Sequence, residues 1–107
     1  MDHLQQQGYR ILARNYRCRL GEIDIVAEES GVLCFVEVRS LATRAFGDPL
    51  ETVNQAKQRR ILQAAGHYLT VHRSHHRQVR FDVVGIVYQP SLQIQLVRHA
   101  FEGSSAW

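Results

Sequence analysis

"GEIDIVAEESGVLCFVEVRS", residues 21–40, decides how this chain folds. Gly21 to Ala27 alternates as a strand, Glu28-Glu29-Ser30-Gly31 is a polar turn, and Gly31 to Ser40 reads as the next strand. Together they form an antiparallel hairpin. Strand side chains alternate between faces, so Ile23, Ile25 and Ala27 are expected on one face and Glu22, Asp24 and Val26 on the other. On the following strand Val32, Cys34, Val36 and Val38 share one face, and Leu33, Phe35, Glu37 and Arg39 the other. One face is apolar throughout. The other changes from apolar near the turn to Glu22, Asp24, Glu37 and Arg39 further along.

Such a face needs an explanation, because carboxylates at the edge of a buried zone repel one another and are costly to desolvate. A turn centred on Glu29-Ser30 would pair residue 24 with 35 and residue 22 with 37. Asp24 and Glu37 would then be diagonal neighbours, roughly 7–8 Å apart and within reach of one ion. A slip of one residue would destroy the arrangement. A divalent cation with oxygen ligands offsets the charge directly. A ladder of ion pairs, with Arg39 and a second arginine neutralising the acids, does so equally on spacing alone.

Outward from the hairpin, Leu4 to Gln7 reads as the last turn of a helix closed by Gly8, and Tyr9 to Arg17 as an irregular first strand. After a loop at Leu41 to Pro49, a long helix begins between Asp48 and Asn54 and runs to about His72. Its stripe of Ile61, Leu62, Ala65, Tyr68 and Leu69 faces a core, with Lys57, Arg60, Gln63 and His67 away from it. Val79 to Tyr88 and Leu92 to Phe101 are the last two strands. The order (helix)-strand-strand-strand-helix-strand-strand predicts an α/β fold with a mixed central sheet of about five strands flanked by helices. Residues 1–102 form a single domain, and 103–107 a frayed tail.

At 107 residues there is one core and no room for a second. No apolar run is long enough to span a membrane, and no signal peptide opens the chain, so a cytoplasmic location is expected. Cys18 and Cys34 lack metal-type spacing and read as buried, reduced thiols. The net charge is +3, carried by twelve arginines and the single Lys57. Arginine's planar fork suits phosphate recognition, which places nucleic acid first among partners. There is no glycine-rich phosphate loop and no serine or cysteine nucleophile pattern, so no small-molecule cofactor is expected.

The hairpin sequence resembles the PD-(D/E)xK nuclease motif, in which an Asp on one strand and a Glu-x-Lys on the next share a site. The wider chain is similar to the YraN-like bacterial family, related in fold to archaeal Holliday-junction resolvases. That resemblance rests on "GYRILARNYRCRLGEIDIVA" (8–27), "FVEVRS" (35–40), "FGDPLETVNQAKQRRI" (46–61), "RFDVVGIV" (80–87) and "HAF" (99–101). It implies a restriction-endonuclease-like fold and metal-dependent hydrolysis of DNA, on branched or recombination-intermediate substrates. Asp24 and Glu37, with the Val38 carbonyl, would hold Mg²⁺ or Mn²⁺. Resolvases work as dimers, so the same kinship implies a homodimer.

The third motif position, normally lysine, is Arg39 here. Arginine can stabilise charge on a phosphate but stays protonated and cannot act as a base. Three outcomes stay open: Arg39 substitutes electrostatically, Lys57 reaches in from the helix as support, or the site is inactive and the chain is a nuclease-like binding module for nucleic acid or protein. Lys57 on a solvated helix face is the plainer alternative. Glu22 is a second support candidate, with pairing to an arginine as its ordinary role. Arg17, Arg59, Arg60 and Lys57 are the candidate contacts to a nucleic-acid backbone, and Asp82 of "RFD" reads as a structural ion pair.

Overall fold

The computed structural model describes residues 2–102; the expected tail at 103–107 lies outside them. Helix α1 (Asp2–Gln6) leads into strands β1 (Arg10–Cys18), β2 (Gly21–Glu29) and β3 (Val32–Thr43). Two short 3-10 turns, Arg44–Phe46 and Pro49–Thr52, lead to helix α2 (Gln55–Val71), followed by β4 (Val79–Gln89) and β5 (Gln93–Phe101). The strands form one sheet in the order β1-β2-β3-β4-β5. β3 and β4 are parallel, joined through α2, and every other neighbouring pair is antiparallel. This is the expected α/β class with a mixed five-stranded sheet. β3 runs past Ser40 to Thr43 because its parallel partner continues beside it to the pair Thr43↔Gln89.

The hairpin register differs from expectation. The β2–β3 ladder runs from Glu29↔Val32 to Ile25↔Val36, so the turn is Ser30-Gly31 rather than Glu29-Ser30. Both turn residues take positive φ, 50° and 81°, the two-residue hairpin geometry whose twist matches the flanking strands. The shift is two residues, an even number, so side chains within the paired segments Ile25–Glu29 and Val32–Val36 keep their faces. Phe35 therefore pairs with Val26 and not with Asp24; beyond the last ladder pair, the Asp24 carboxylate links the strands through the Val38 amide.

α2 covers one face of the sheet. It buries Ile61, Ala64, Ala65, Tyr68 and Leu69, the i, i+3, i+4, i+7, i+8 set of a helix packed on a sheet. Ala64 therefore takes the place expected for Leu62, which is only half-buried. These residues meet Val26, Leu33, Phe35, Phe81 and Val83 from the central strands. The other face gathers Leu4 of α1 and Tyr9 with Ile25, Ala27, Cys34, Val36 and Val84. Ile23 departs from the expected alternation. It packs on the α2 side whereas Ile25, two residues on, packs on the α1 side. The break falls at Asp24, beside the ladder pairs Arg14↔Ile25 and Tyr16↔Ile23, and Asn15 between those partners takes a left-handed φ of 52°.

Candidate metal and phosphodiester site

The polar end of the β2–β3 hairpin lies where the N-terminus of α2 and the Pro49–Thr52 turn approach the sheet. Asp24 Oδ2 accepts a 2.8 Å hydrogen bond from the Val38 amide, which fixes the carboxylate against β3. The Glu37 side chain is only 4% exposed, so its charge sits almost wholly out of water. Its Oε2 lies 3.1 Å from Lys57 Nζ and 3.8 Å from Arg39 Nη1, yet that buried oxygen accepts no hydrogen bond. The ammonium stands at ion-pair distance but outside hydrogen-bond geometry. Burial, and then the Asp24 carboxylate beside it, push the Glu37 carboxyl up to about 7, against the lowering effect of Lys57.

Lys57 thus does not occupy a solvated face. It lies four residues before Ile61, one turn along the buried stripe, and that spacing was the signal for its direction. Asn54 caps α2, its Oδ1 accepting from the Lys57 amide at 2.9 Å, which sets where the lysine leaves the helix. Arg39 is anchored differently. Its Nε donates to Thr52 Oγ1 at 2.7 Å, and Thr52 donates in turn to the Pro49 carbonyl at 2.6 Å. Pro49 packs over Gly85, the parallel-ladder partner of Arg39; a Cβ at Gly85 would come within 3.1 Å of the proline ring. Thr52 carried no readable signal in the sequence, because its role depends on a loop folding back over β4.

The remaining candidates fall outside this centre. Glu22 pairs with Arg17 at 3.3 Å, and its side chain is 44% exposed, the arginine-paired alternative. Among the described residues, no three or more His, Cys, Asp or Glu side chains converge as a metal-binding group. The acids of the site are the pair Asp24 and Glu37. Two carboxylates, one with a buried oxygen held only by ion pairs with Lys57 and Arg39, are oxygen donors that fit a hard divalent cation. Arg17, Arg59 and Arg60 are exposed. Arg17 and Arg60 join Lys57, Glu22, Cys18, Gly21 and Ile61 around a groove next to the acidic pair, which the sequence reading did not foresee.

Asp82 lies elsewhere. It is fully buried beneath the α1 side, accepting from the Tyr9 hydroxyl at 2.6 Å, Arg80 Nε at 2.8 Å and the His99 amide at 2.9 Å. Arg80 also reaches Glu29, which Arg98 clamps from the other side. Asp82 is therefore a structural ion-pair residue. Arg80 belongs to "RFD" itself, whereas Tyr9 and the His99 amide come from distant segments and were not identifiable from that motif.

With this geometry in place, similarity to known proteins becomes informative. A family model described as "Uncharacterised protein family UPF0102" matches residues 1–86. The chain belongs to the UPF0102 family. A UPF0102 protein of Lachnoclostridium phytofermentans is 49% identical over 102 residues, covering 94% of this chain and 84% of the relative. One from Myxococcus xanthus is 49% identical over 84 residues, covering 78% and 67%. A third, from Symbiobacterium thermophilum, is 45% identical over 102 residues, covering 94% and 86%. The YraN-like resemblance read from the motifs is to this UPF0102 family. No helix among the described residues is long and apolar enough to cross a membrane.

Proposed function

We propose that this UPF0102 chain is a metal-dependent nuclease with a restriction-endonuclease-like fold, hydrolysing phosphodiesters in DNA. The observation that carries this reading is the buried Glu37 Oε2 beside Asp24, with Lys57 and Arg39 both turned toward it. Asp24, Glu37 and the Val38 carbonyl would hold Mg²⁺ or Mn²⁺. Such a cation would offset the two acids and polarise an oxygen of the scissile phosphate.

The chain's own groups do the rest. Lys57 takes the part of the motif lysine in this reading, reaching Glu37 from α2 instead of from β3, which its 3.1 Å approach to Glu37 supports. Its ammonium offsets charge developing on the phosphate and orients the attacking water. Arg39, held by Thr52 and permanently protonated, donates hydrogen bonds to the phosphate without removing a proton. Arg17, Arg59 and Arg60 add exposed positive charge for a DNA backbone. Kinship with archaeal Holliday-junction resolvases favours branched DNA and a homodimeric form, which are analogies of fold.

A binding module without catalysis is the second reading, favoured by the Arg39–Thr52 bond and the Arg39–Glu37 ion pair, which already engage the motif's third residue within the protein. Metal and cleavage experiments separate the two. Millimolar Mg²⁺ or Mn²⁺ at about ten times its Kd should stabilise by roughly 1.4 kcal/mol, raising the Tm by several degrees. Asp24→Ala should abolish that shift. Nicking of flap, branched or single-stranded DNA with Mn²⁺ should fall at least about a hundredfold in Lys57→Met. The absence of both the metal shift and any nicking would leave the binding module.

A further inference from the structure

The groove beside the acidic pair has a volume of about 350 Å³ and lies between the end of β1, the β1–β2 turn and α2. Its walls differ in character. Ile61 is 3% exposed and Cys18 half-buried, giving an apolar side, whereas Arg17, Arg60 and Lys57 supply three cations. Glu22 is the one acid, and its pair with Arg17 is solvent-exposed and exchangeable. Lys57 lines the groove and also stands 3.1 Å from Glu37, so the groove and the acidic pair share a wall. At Gly21 the β1–β2 turn presses on α2 so closely that a Cβ there would lie 2.8 Å from the Arg60 carbonyl oxygen. Any side chain at that position would push the turn off the helix.

A ligand for this groove needs anionic groups for the arginines and a flat, partly apolar body for Ile61 and Cys18. The volume lies at the small end of the roughly 300–1,000 Å³ of ligand pockets. It admits one nucleotide and excludes a base pair with its two backbones. We propose that the groove is a subsite for a single unpaired nucleotide adjoining the scissile phosphate, so that the protein selects DNA with an unpaired strand at the point of cleavage. This deepens the nuclease reading and rests on it for the word scissile; the subsite itself is a binding property.

The test is therefore made in EDTA, without cleavage. Three fluorescein-labelled probes are compared by anisotropy: a blunt duplex, the same duplex with a short single-stranded flap, and oligo(dT). The flap duplex should bind about tenfold more tightly than the blunt one, as one well-held base provides. Arg60→Ala should remove that preference. Loss of a mere backbone contact would instead weaken both probes alike. A footprint on the unaltered protein gives a second readout, because Cys18 lines the groove while Cys34 is fully buried. Alkylation of Cys18 by N-ethylmaleimide, followed by mass spectrometry, should be slowed by oligo(dT) and by the flap duplex but not by the blunt duplex.

Equal affinity for flap and blunt probes, no binding of either, or equal Cys18 labelling with every probe would overturn the subsite. Nicking with Mn²⁺ alongside an unselective footprint would sink the subsite and leave the nuclease reading standing. A selective footprint without nicking would do the reverse.

Discussion

Glu37 is the residue on which the chemistry turns, because its carboxylate is buried beside a second acid while its Oε2 is held by ion pairs with Lys57 and Arg39. Its carboxyl is raised to about 7, so in the metal-free protein the folded state keeps a proton that the unfolded chain releases near its ordinary value. This contribution is fully present below the unfolded pKa and is lost as pH rises through the folded one. Stability of the metal-free protein should fall from about pH 4.5 to about 7. Thermal melts of wild type and Glu37→Gln in EDTA check this, and the difference between their slopes should be confined to that window. Glu29 acts in the opposite sense and at lower pH. Held down to about 2 by Arg98 and Arg80, it stabilises above its unfolded pKa and ceases to do so as pH drops toward 2. Glu37 and Arg39 were legible together because a strand's period of two is fixed by backbone geometry, whereas at Asp24 that period breaks and the carboxylate is held instead by the Val38 amide. That Lys57 joins them was half-legible, in its spacing of four from Ile61.

Among the elements, the N-terminal end of α2 controls the site, since Lys57 and the Pro49–Thr52 turn that anchors Arg39 both depend on where the helix starts. Asn54→Ala should cost about 1 kcal/mol in urea unfolding through loss of the cap. If α2's start positions Lys57, the same variant should weaken metal-dependent stabilisation beyond that uniform loss, seen as a smaller Tm shift on adding Mn²⁺. Gly21→Ala is a stricter perturbation, because the contact it makes is with backbone, the Arg60 carbonyl at 2.8 Å, and cannot be relieved by a rotamer change. It should destabilise by roughly 1–3 kcal/mol and open the groove, with faster alkylation of Cys18 as the direct measure. The strands and α2 themselves were readable from hydrophobic period, whereas the choice of Ala64 over Leu62 for the core was not. A stripe several residues wide tolerates either rotation of the helix until the sheet's surface selects one.

Across the whole molecule, two ionic assemblies sit on opposite faces of one sheet, and they differ in completeness. On the α1 side Asp82 has its carboxylate fully occupied by Tyr9, Arg80 and the His99 amide. On the α2 side the Glu37 Oε2 has ion pairs with Lys57 and Arg39 but no hydrogen bond of good geometry. The first assembly reads as a clamp between the segment after α1 and strands β2, β4 and β5. Asp82→Ala, which strands the Arg80 guanidinium and the Tyr9 hydroxyl, should cost about 3–5 kcal/mol by urea unfolding. Added Mn²⁺ should restore none of its contacts.

The sequence by itself determined the α/β class, the five strands, the crossover helix and which face of the hairpin carries Glu37 and Arg39, because alternation and helical period are local properties of the chain. Tertiary structure alone decided the turn at Ser30-Gly31, the approach of Lys57 to Glu37, the anchoring of Arg39 by Thr52 and the groove held open beside Gly21. These depend on register and on the docking of α2, which are set by packing between residues far apart in the chain, and no local pattern encodes such distances.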